Sequence, residues 1–309
     1  MAVGCLAREW GRILNIEMIK HVIKQLAPPV FVTLLRWVLR ANGRVVVLGR
    51  QPDWEVVPEG WRDDDARSRG WDHPSISATQ AAKWNGFLAM VAGSSPLGVS
   101  PESPPGAAPS ASVHNTLITF AYVLARTALT VGTGRVSVLD WGGGLGQYYH
   151  VARAVLPEIE LDYTVKDLPV MCRAARSLSP EVAFVEDESC LARGYDLVFA
   201  SSVLHYARDW PAELARLAAA ARQYLFITRL FTAAGVDTFV VVQRPHRHGY
   251  HTEYISWVLG RDEFLAAATA AGLALEREVL VDEAPRVQGA PAPVQVRGFL
   301  FRRVEHRRP

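Results

Sequence analysis

Downstream of residue 113 the sequence alternates short apolar runs with amphipathic stretches. Residues 136–140 predict a buried strand, 147–156 a helix stopped by Pro157, 161–166 a second strand, and 169–178 a helix with proline in its first turn. Residues 182–185 and 195–200 are two further apolar runs of strand length, 210–222 is helical behind Pro211, and 224–228 is a fifth strand. Residues 261–271 predict a helix with Asp262 and Glu263 at its positive end and Gly272 just past its last turn. Residues 273–281 and 294–302 close the chain as two strands joined like a hairpin. Five strand-and-crossover units imply a parallel sheet covered on both faces, to which the hairpin adds an antiparallel strand. The predicted class is α/β and doubly wound.

Upstream the pattern changes. Helices are expected around residues 11–26 and 30–41, followed by a polar region bearing Trp54, Trp61, Trp71 and Trp84 that has no clear period. Residues 93–112 hold five Pro, three Gly and six Ser and read as a linker or mobile loop, and a helical pattern over 114–127 leads into the alternating part. The 309 residues therefore divide, by expectation, into an N-terminal helical segment, 1–112, and a core domain, 113–309.

Charge narrows the partners. Lys plus Arg number 33 and Asp plus Glu 31, a net +2, too balanced for a protein whose main task is neutralising nucleic-acid phosphates. Residues 1–50 carry eight basic side chains against Glu9 and Glu17, a local +6. Contact with an anionic membrane surface would use such a patch, but the seven acids and three Arg of residues 51–72 offset it locally, and a solvated helical face is the preferred reading. Residues 26–35 are too short to span a bilayer and contain Pro28 and Pro29. Cys5, Cys172 and Cys190 form no CxxC pair, so neither a disulfide framework nor a zinc knuckle is indicated, and the expected location is cytoplasmic.

The chemistry-bearing segment is Val138-Leu-Asp-Trp-Gly-Gly-Gly-Leu-Gly-Gln147, between the first strand and the first helix of the sheet. Its glycines let the backbone turn sharply and approach a ligand, and the following helix offers unpaired N–H groups. A dinucleotide fingerprint, G-x-G-x-x-G, fails because Gln147 stands three residues after Gly144, and no Gly-Lys-Ser/Thr follows to make a P-loop. Asp140, directly ahead of the glycines, would repel a pyrophosphate and suits an amine-bearing ligand.

This segment resembles motif I, D-x-G-x-G-x-G, of the class I S-adenosylmethionine-dependent methyltransferases. The resemblance covers residues 116–303 and continues at Lys166-Asp167-Leu168-Pro169, at Val185-Glu-Asp187, and at Tyr195-Asp-Leu-Val-Phe-Ala-Ser-Ser-Val-Leu-His-Tyr206. A narrower likeness is to bacterial methyltransferases associated with polysaccharide and secondary-metabolite genes. It implies a Rossmann-like seven-stranded sheet with the last strand antiparallel, preceded by an N-terminal helical accessory segment over the acceptor site. It also implies S-adenosylmethionine as cofactor, bound by Asp140, Gly142, Gly143, Gly144, Gly146, Asp167, Leu168, Asp187 and Ser201. Within it, Asp167 would take the ribose hydroxyls and Asp187 would lie near the adenine amine.

The expected reaction is O-methylation of a small-molecule acceptor, a sugar or secondary-metabolite intermediate. A hydroxyl acceptor needs a base, and His205, just past the fourth strand, is the candidate. Tyr149, Tyr206, Arg229, His246, His248 and His251 are candidate substrate contacts, with Arg229 suited to a carboxylate or phosphate. Three His within residues 246–251 lack a fixed carboxylate partner apart from Glu253, so no metal is expected. Nucleic acid is not an expected partner, and a homodimer stays open. Two other readings stay open: a non-catalytic binding protein that keeps the cofactor fold, and a nicotinamide-dependent oxidoreductase, which Gln147 disfavours.

Overall fold

The computed structural model describes residues 52–104 and 106–304. The helices expected at 11–26 and 30–41, the basic N-terminal patch and Cys5 lie outside these residues. The chain divides into two compact units after Gln51, and the second, Pro52–Pro309, contains everything described below. Among the described residues, Ile76, Trp84, Phe87, Val91 and Leu97 share one hydrophobic core with residues on the far side of the division expected near residue 112.

The centre is a parallel sheet of β2 (Arg135–Trp141), β3 (Glu160–Lys166), β4 (Ala183–Val185), β5 (Tyr195–Ser201) and β6 (Ala221–Ala233), in the order β4-β3-β2-β5-β6. Strand β10 (Val294–Arg303) runs antiparallel along β6 and pairs on its other side with β9 (Leu273–Leu280), so the terminal hairpin completes seven strands. Order reverses between β2 and β5, and a crevice at the carboxyl ends of the strands is the usual ligand site in such a sheet.

Alternation along the strands covers both faces. Val136, Val138, Leu197, Phe199, Tyr224 and Phe226 face one helical layer, whereas Leu139, Val198, Ala200, Leu225 and Ile227 face the other. The first layer holds α1 (Pro74–Ala92), α2 (Ala111–Val131), α3 (Gln147–Val155) and α4 (Pro169–Leu178). The second holds α5 (Trp210–Ala220) and α6 (Arg261–Ala270). Local sequence sets the helix ends: Ser110 Oγ accepts from Val113 N at 3.2 Å to start α2, Gly132 closes it at φ 71°, and Asp209 Oδ1 caps α5 through Ala212 N at 3.1 Å.

Three strands extend the sheet beyond expectation. Long β6 outruns the core, and its last two residues pair with β8 (Tyr254–Gly260), which pairs antiparallel with β7 (Phe239–Gln243), which pairs antiparallel with β1 (Trp54–Val56). Helix α1 also falls where no period was evident. Its buried face mixes Ile76, Trp84, Phe87 and Val91 with Ser77 and Gln80, which interrupts the apolar stripe.

The Pro/Ser/Gly stretch is not a free linker. Leu97 is buried in the core, Ser110 N donates to Gly98 O at 2.8 Å, and the Ser103 carbonyl accepts from Lys83. These contacts and the Glu102–Arg229 ion pair hold it against the protein, so a composition typical of linkers lies docked.

Candidate active site

A cleft of about 740 Å³ opens at the carboxyl edge of β2, β3 and β5, within the ~300–1,000 Å³ typical of small-molecule and cofactor sites. Trp141, Gly142, Gly144, Lys166, Asp167, Leu168 and Ser201 form its floor. The turn between β2 and α3 needs glycine for two distinct reasons. Gly144 has φ 60°, and a Cβ on Gly143 would come 2.5 Å from Asp140 Oδ2. Asp140 therefore sits under the turn rather than in the cleft wall. It is fully buried, accepts from Tyr163 OH at 2.9 Å, and burial pushes its carboxyl up to about 8.

Asp167 faces the cleft from the end of β3. Its Oδ2 accepts from Gly144 N at 2.7 Å and its Oδ1 from Leu168 N at 2.6 Å. Burial raises its pKa, against the pull of those two backbone bonds. Each oxygen keeps a lone pair for a further donor, so the carboxylate is oriented and still able to accept. Ser201 Oγ meets Tyr148 OH at 2.8 Å, and Lys166 Nζ lies 4.5 Å from the Trp141 ring centroid. At the far side Arg216 ties Glu188 to Glu213.

A second, narrower cavity of about 80 Å³ adjoins the cleft, and Trp71, Glu102, Ser202 and Tyr206 line both. Trp71 stacks on Tyr254 with centroids 4.6 Å apart and meets Tyr206 edge-on at 5.1 Å. Tyr206 OH donates to Gln243 Oε1 at 3.1 Å, and burial raises its phenol pKa. Glu102, from the stretch expected to be a linker, forms an ion pair with Arg229. Burial opposes the Arg229 charge most strongly of any single cause, but Glu102 together with Tyr148 and Glu283 outweighs it and the guanidinium pKa rises. His248 accepts from Arg247 Nε at 3.2 Å through Nε2, so Nδ1 carries the proton and donates to the Glu102 carbonyl at 2.9 Å. Burial lowers its pKa.

Ser202 (φ 57°) and Arg229 (φ 51°) are left-handed non-glycine residues just past β5 and within β6. Ser202 N donates to Thr228 O at 3.0 Å. Such conformations cost ~1–3 kcal/mol each and persist where surrounding structure enforces them, commonly at ligand sites.

Of the expected contacts, Tyr206, Arg229 and His248 come together here, and the glycine turn, Asp167, Leu168 and Ser201 come together in the cleft. Others do not. His205 is fully buried, with its ring 3.9 Å from that of Phe231 and 4.2 Å from that of Tyr206, and neither ring nitrogen has a partner. Burial holds its pKa well below the usual range, with Arg229 adding to the effect. It lines neither cavity, so a base there has no route to an acceptor. Asp187 is exposed and caps the turn at Glu188–Ala192 through Ser189 N at 2.9 Å; its neighbour Glu188 is the acid in the cleft wall. Tyr149 packs against Tyr163, and His246 and His251 are exposed. Gly146 supports α3 from beneath, beside Phe184. Of the four N-terminal Trp residues, Trp84 is core, Trp54 and Trp61 pack on Phe231 and Trp257, and Trp71 alone lines the cleft.

Sequence reasoning missed Glu102, Gln80, Gln243, Tyr250 and Tyr254. Pro74 behind a capping His73 marks the start of α1, and the runs rich in aromatic and β-branched residues at 239–242 and 254–258 are strand signals. Nothing local marks Glu102. Among the described residues no cluster of three or more His, Cys, Asp or Glu is placed to hold a metal, and no helix is long and apolar enough to cross a membrane.

No family model matches the sequence, and no curated protein matches it. Solved structures similar to it include magnesium protoporphyrin IX methyltransferase from Synechocystis with bound S-adenosylmethionine, 14% identical, covering 78% of this chain and 100% of that one at TM-score 0.44. Another is 1,6-didemethyltoxoflavin-N1-methyltransferase from Burkholderia thailandensis, 16% identical over 80% of this chain and 94% of that one, TM-score 0.43. A third is a sugar N-methyltransferase from Streptoalloteichus, 18% identical over 61% and 88%, TM-score 0.40. At these values the functional reading rests on the site's own residues.

Proposed function

We propose that the chain is an S-adenosylmethionine-dependent methyltransferase acting on a small-molecule acceptor. One observation carries this: at the carboxyl edge of the parallel sheet, a glycine turn that cannot accommodate a Cβ at Gly143 stands beside a carboxylate, Asp167, fixed 2.7 Å from Gly144 N and open to the cleft. A nucleoside with a free ribose diol fits such a floor. A dinucleotide fits less well, because Gln147 stands where its fingerprint needs a third glycine.

Bound there, the cofactor would supply a methyl group on a sulfonium, which departs as a neutral thioether. The protein's part is alignment and exclusion of water. Asp167 would accept from the ribose hydroxyls, and the turn at Gly142 and Gly144 would let the backbone lie against the ligand. Trp71 and Tyr206, which line both cavities, would face the acceptor, which would enter through the larger cleft. The finer reading is methylation on oxygen of a sugar or secondary-metabolite intermediate, with residues 52–112 contributing the acceptor-side cover. Glu102, rather than His205, is then the group placed to take the hydroxyl proton, since it lines both cavities. Saturable binding of S-adenosylhomocysteine that depends on Asp167 tests the reading.

A further inference from the structure

Two buried amide oxygens beside the glycine turn have no partner. Gln80, on α1, is 3% exposed and lines the cleft; its Nε2 donates to Tyr250 OH at 3.0 Å and its Oε1 is buried and unbonded. Gln147, the first residue of α3, is 6% exposed and its Oε1 is likewise buried and unbonded. Both oxygens converge on Gly144: a Cβ placed there would lie 3.2 Å from Gln147 Oε1 and 3.6 Å from Gln80 Oε1. Buried acceptors without donors are unfavourable, and two converging on one point call for a group with more than one N–H.

We propose that Gln80 and Gln147 together seat the α-ammonium of the cofactor's amino-acid end. The inference rests on the cleft holding S-adenosylmethionine. Of that cofactor's polar groups, the ribose hydroxyls would meet Asp167, the adenine amine would lie beyond the ribose towards the Glu188 side of the cleft, the carboxylate brings only acceptors, and the ammonium brings three N–H donors with positive charge. Amide oxygens, unlike carboxylates, accept from it without burying a net negative charge beside Asp167. Gln80 is a positioning residue as well. Its amide spans from the glycine turn to Tyr250, which lines the narrower cavity, so a helix preceding the sheet joins the cofactor's tail to the acceptor side. Turned over, the Gln80 amide would present its NH₂ to the cleft and suit the carboxylate instead, which defines the contrary outcome.

The test is calorimetric titration of the intact protein with S-adenosylhomocysteine and with 5′-methylthioadenosine, which keeps the nucleoside and thioether but lacks the amino-acid tail. Gln80→Leu and Gln147→Leu should each weaken S-adenosylhomocysteine about ten- to hundredfold, the worth of one hydrogen bond to a charged group, and leave methylthioadenosine within about twofold. Gln80→Glu should bind S-adenosylhomocysteine at least as tightly as the wild type. Equal weakening of both ligands, no weakening of either, or a Gln80→Glu protein as weak as Gln80→Leu would overturn the proposal. A wild type that binds neither ligand removes the methyltransferase reading itself, whereas a wild type that binds S-adenosylhomocysteine with unaltered Leu variants removes only the ammonium seat.

Discussion

The two halves of the site are built differently. The proposed cofactor half comes from the ends of β2, β3 and β5 and the turns that follow them, so each contribution is a short contiguous segment: residues 140–147, 166–168 and 201–202. The proposed acceptor half is assembled from Trp71, Glu102, Tyr206, Arg229, Gln243, His248, Tyr250 and Tyr254, which meet because β6 overruns the core and carries the β8-β7-β1 extension. In the first half a backbone turn sets the floor and a few side chains, Asp167 foremost, are fixed directly on it. In the second, side chains from distant segments make the site, each held by another side chain. A substitution in the first half should therefore strike cofactor binding, and one in the second should strike local stability while sparing the cofactor.

The largest effect is expected at Gly143. A Cβ there meets the buried Asp140 carboxylate at 2.5 Å, and neither group can retreat without opening the turn. Gly143→Ala should lower S-adenosylhomocysteine affinity by about 100-fold or more and destabilise the fold by about 1–3 kcal/mol, the range for overpacking a filled site. Gly86→Ala is the control, since nothing lies within 4 Å of a Cβ at that position of α1. It should stabilise by up to ~1 kcal/mol and leave affinity unchanged.

Glu102→Ala probes the other half. It removes the Arg229 partner at a site where both side chains are about a quarter exposed, at 23% and 27%, so a loss of about 1–3 kcal/mol in denaturant unfolding is expected. Cofactor affinity should stay within about threefold. If instead affinity falls as it does in Gly143→Ala, the two halves are one unit and the contrast fails.

His205 gives a smaller, pH-dependent effect. Its folded pKa is held below 6.5 while the unfolded chain titrates normally, so the unfolded state binds more protons and stability is lost as pH falls through 6.5. His205→Phe, between Phe231 and Tyr206, removes two unsatisfied nitrogens. The variant should match or exceed the wild type at pH 7.5, and its advantage should grow towards pH 5.5, measured as thermal midpoints. An advantage that shrinks at low pH would show that the histidine is charged and paired.

The same division explains what was legible in the sequence. Strand lengths, the glycine turn and Asp167 follow from local pattern, and the expected strands β2 to β6, β9 and β10 stand where the apolar runs put them, with β6 extended at both ends. Glu102 was hidden because a Pro/Ser/Gly composition describes how a segment would behave in water and says nothing of Arg229 and His248 waiting to bind it. Gln80 was hidden for the opposite reason: a buried polar residue on α1 blurs the very period that reveals a helix. His205 occupies its expected place in the chain, just past β5, but its ring turns into the core against Phe231, an orientation no spacing encodes.

The most direct measurement is titration of S-adenosylhomocysteine against the wild type and Asp167→Ala, with circular dichroism confirming that both are folded. The account predicts saturable binding by the wild type and a loss of about 100-fold in the variant, as expected when a carboxylate accepting from two ribose hydroxyls is removed. A wild type that does not bind, or a variant that binds as tightly as the wild type, would contradict it.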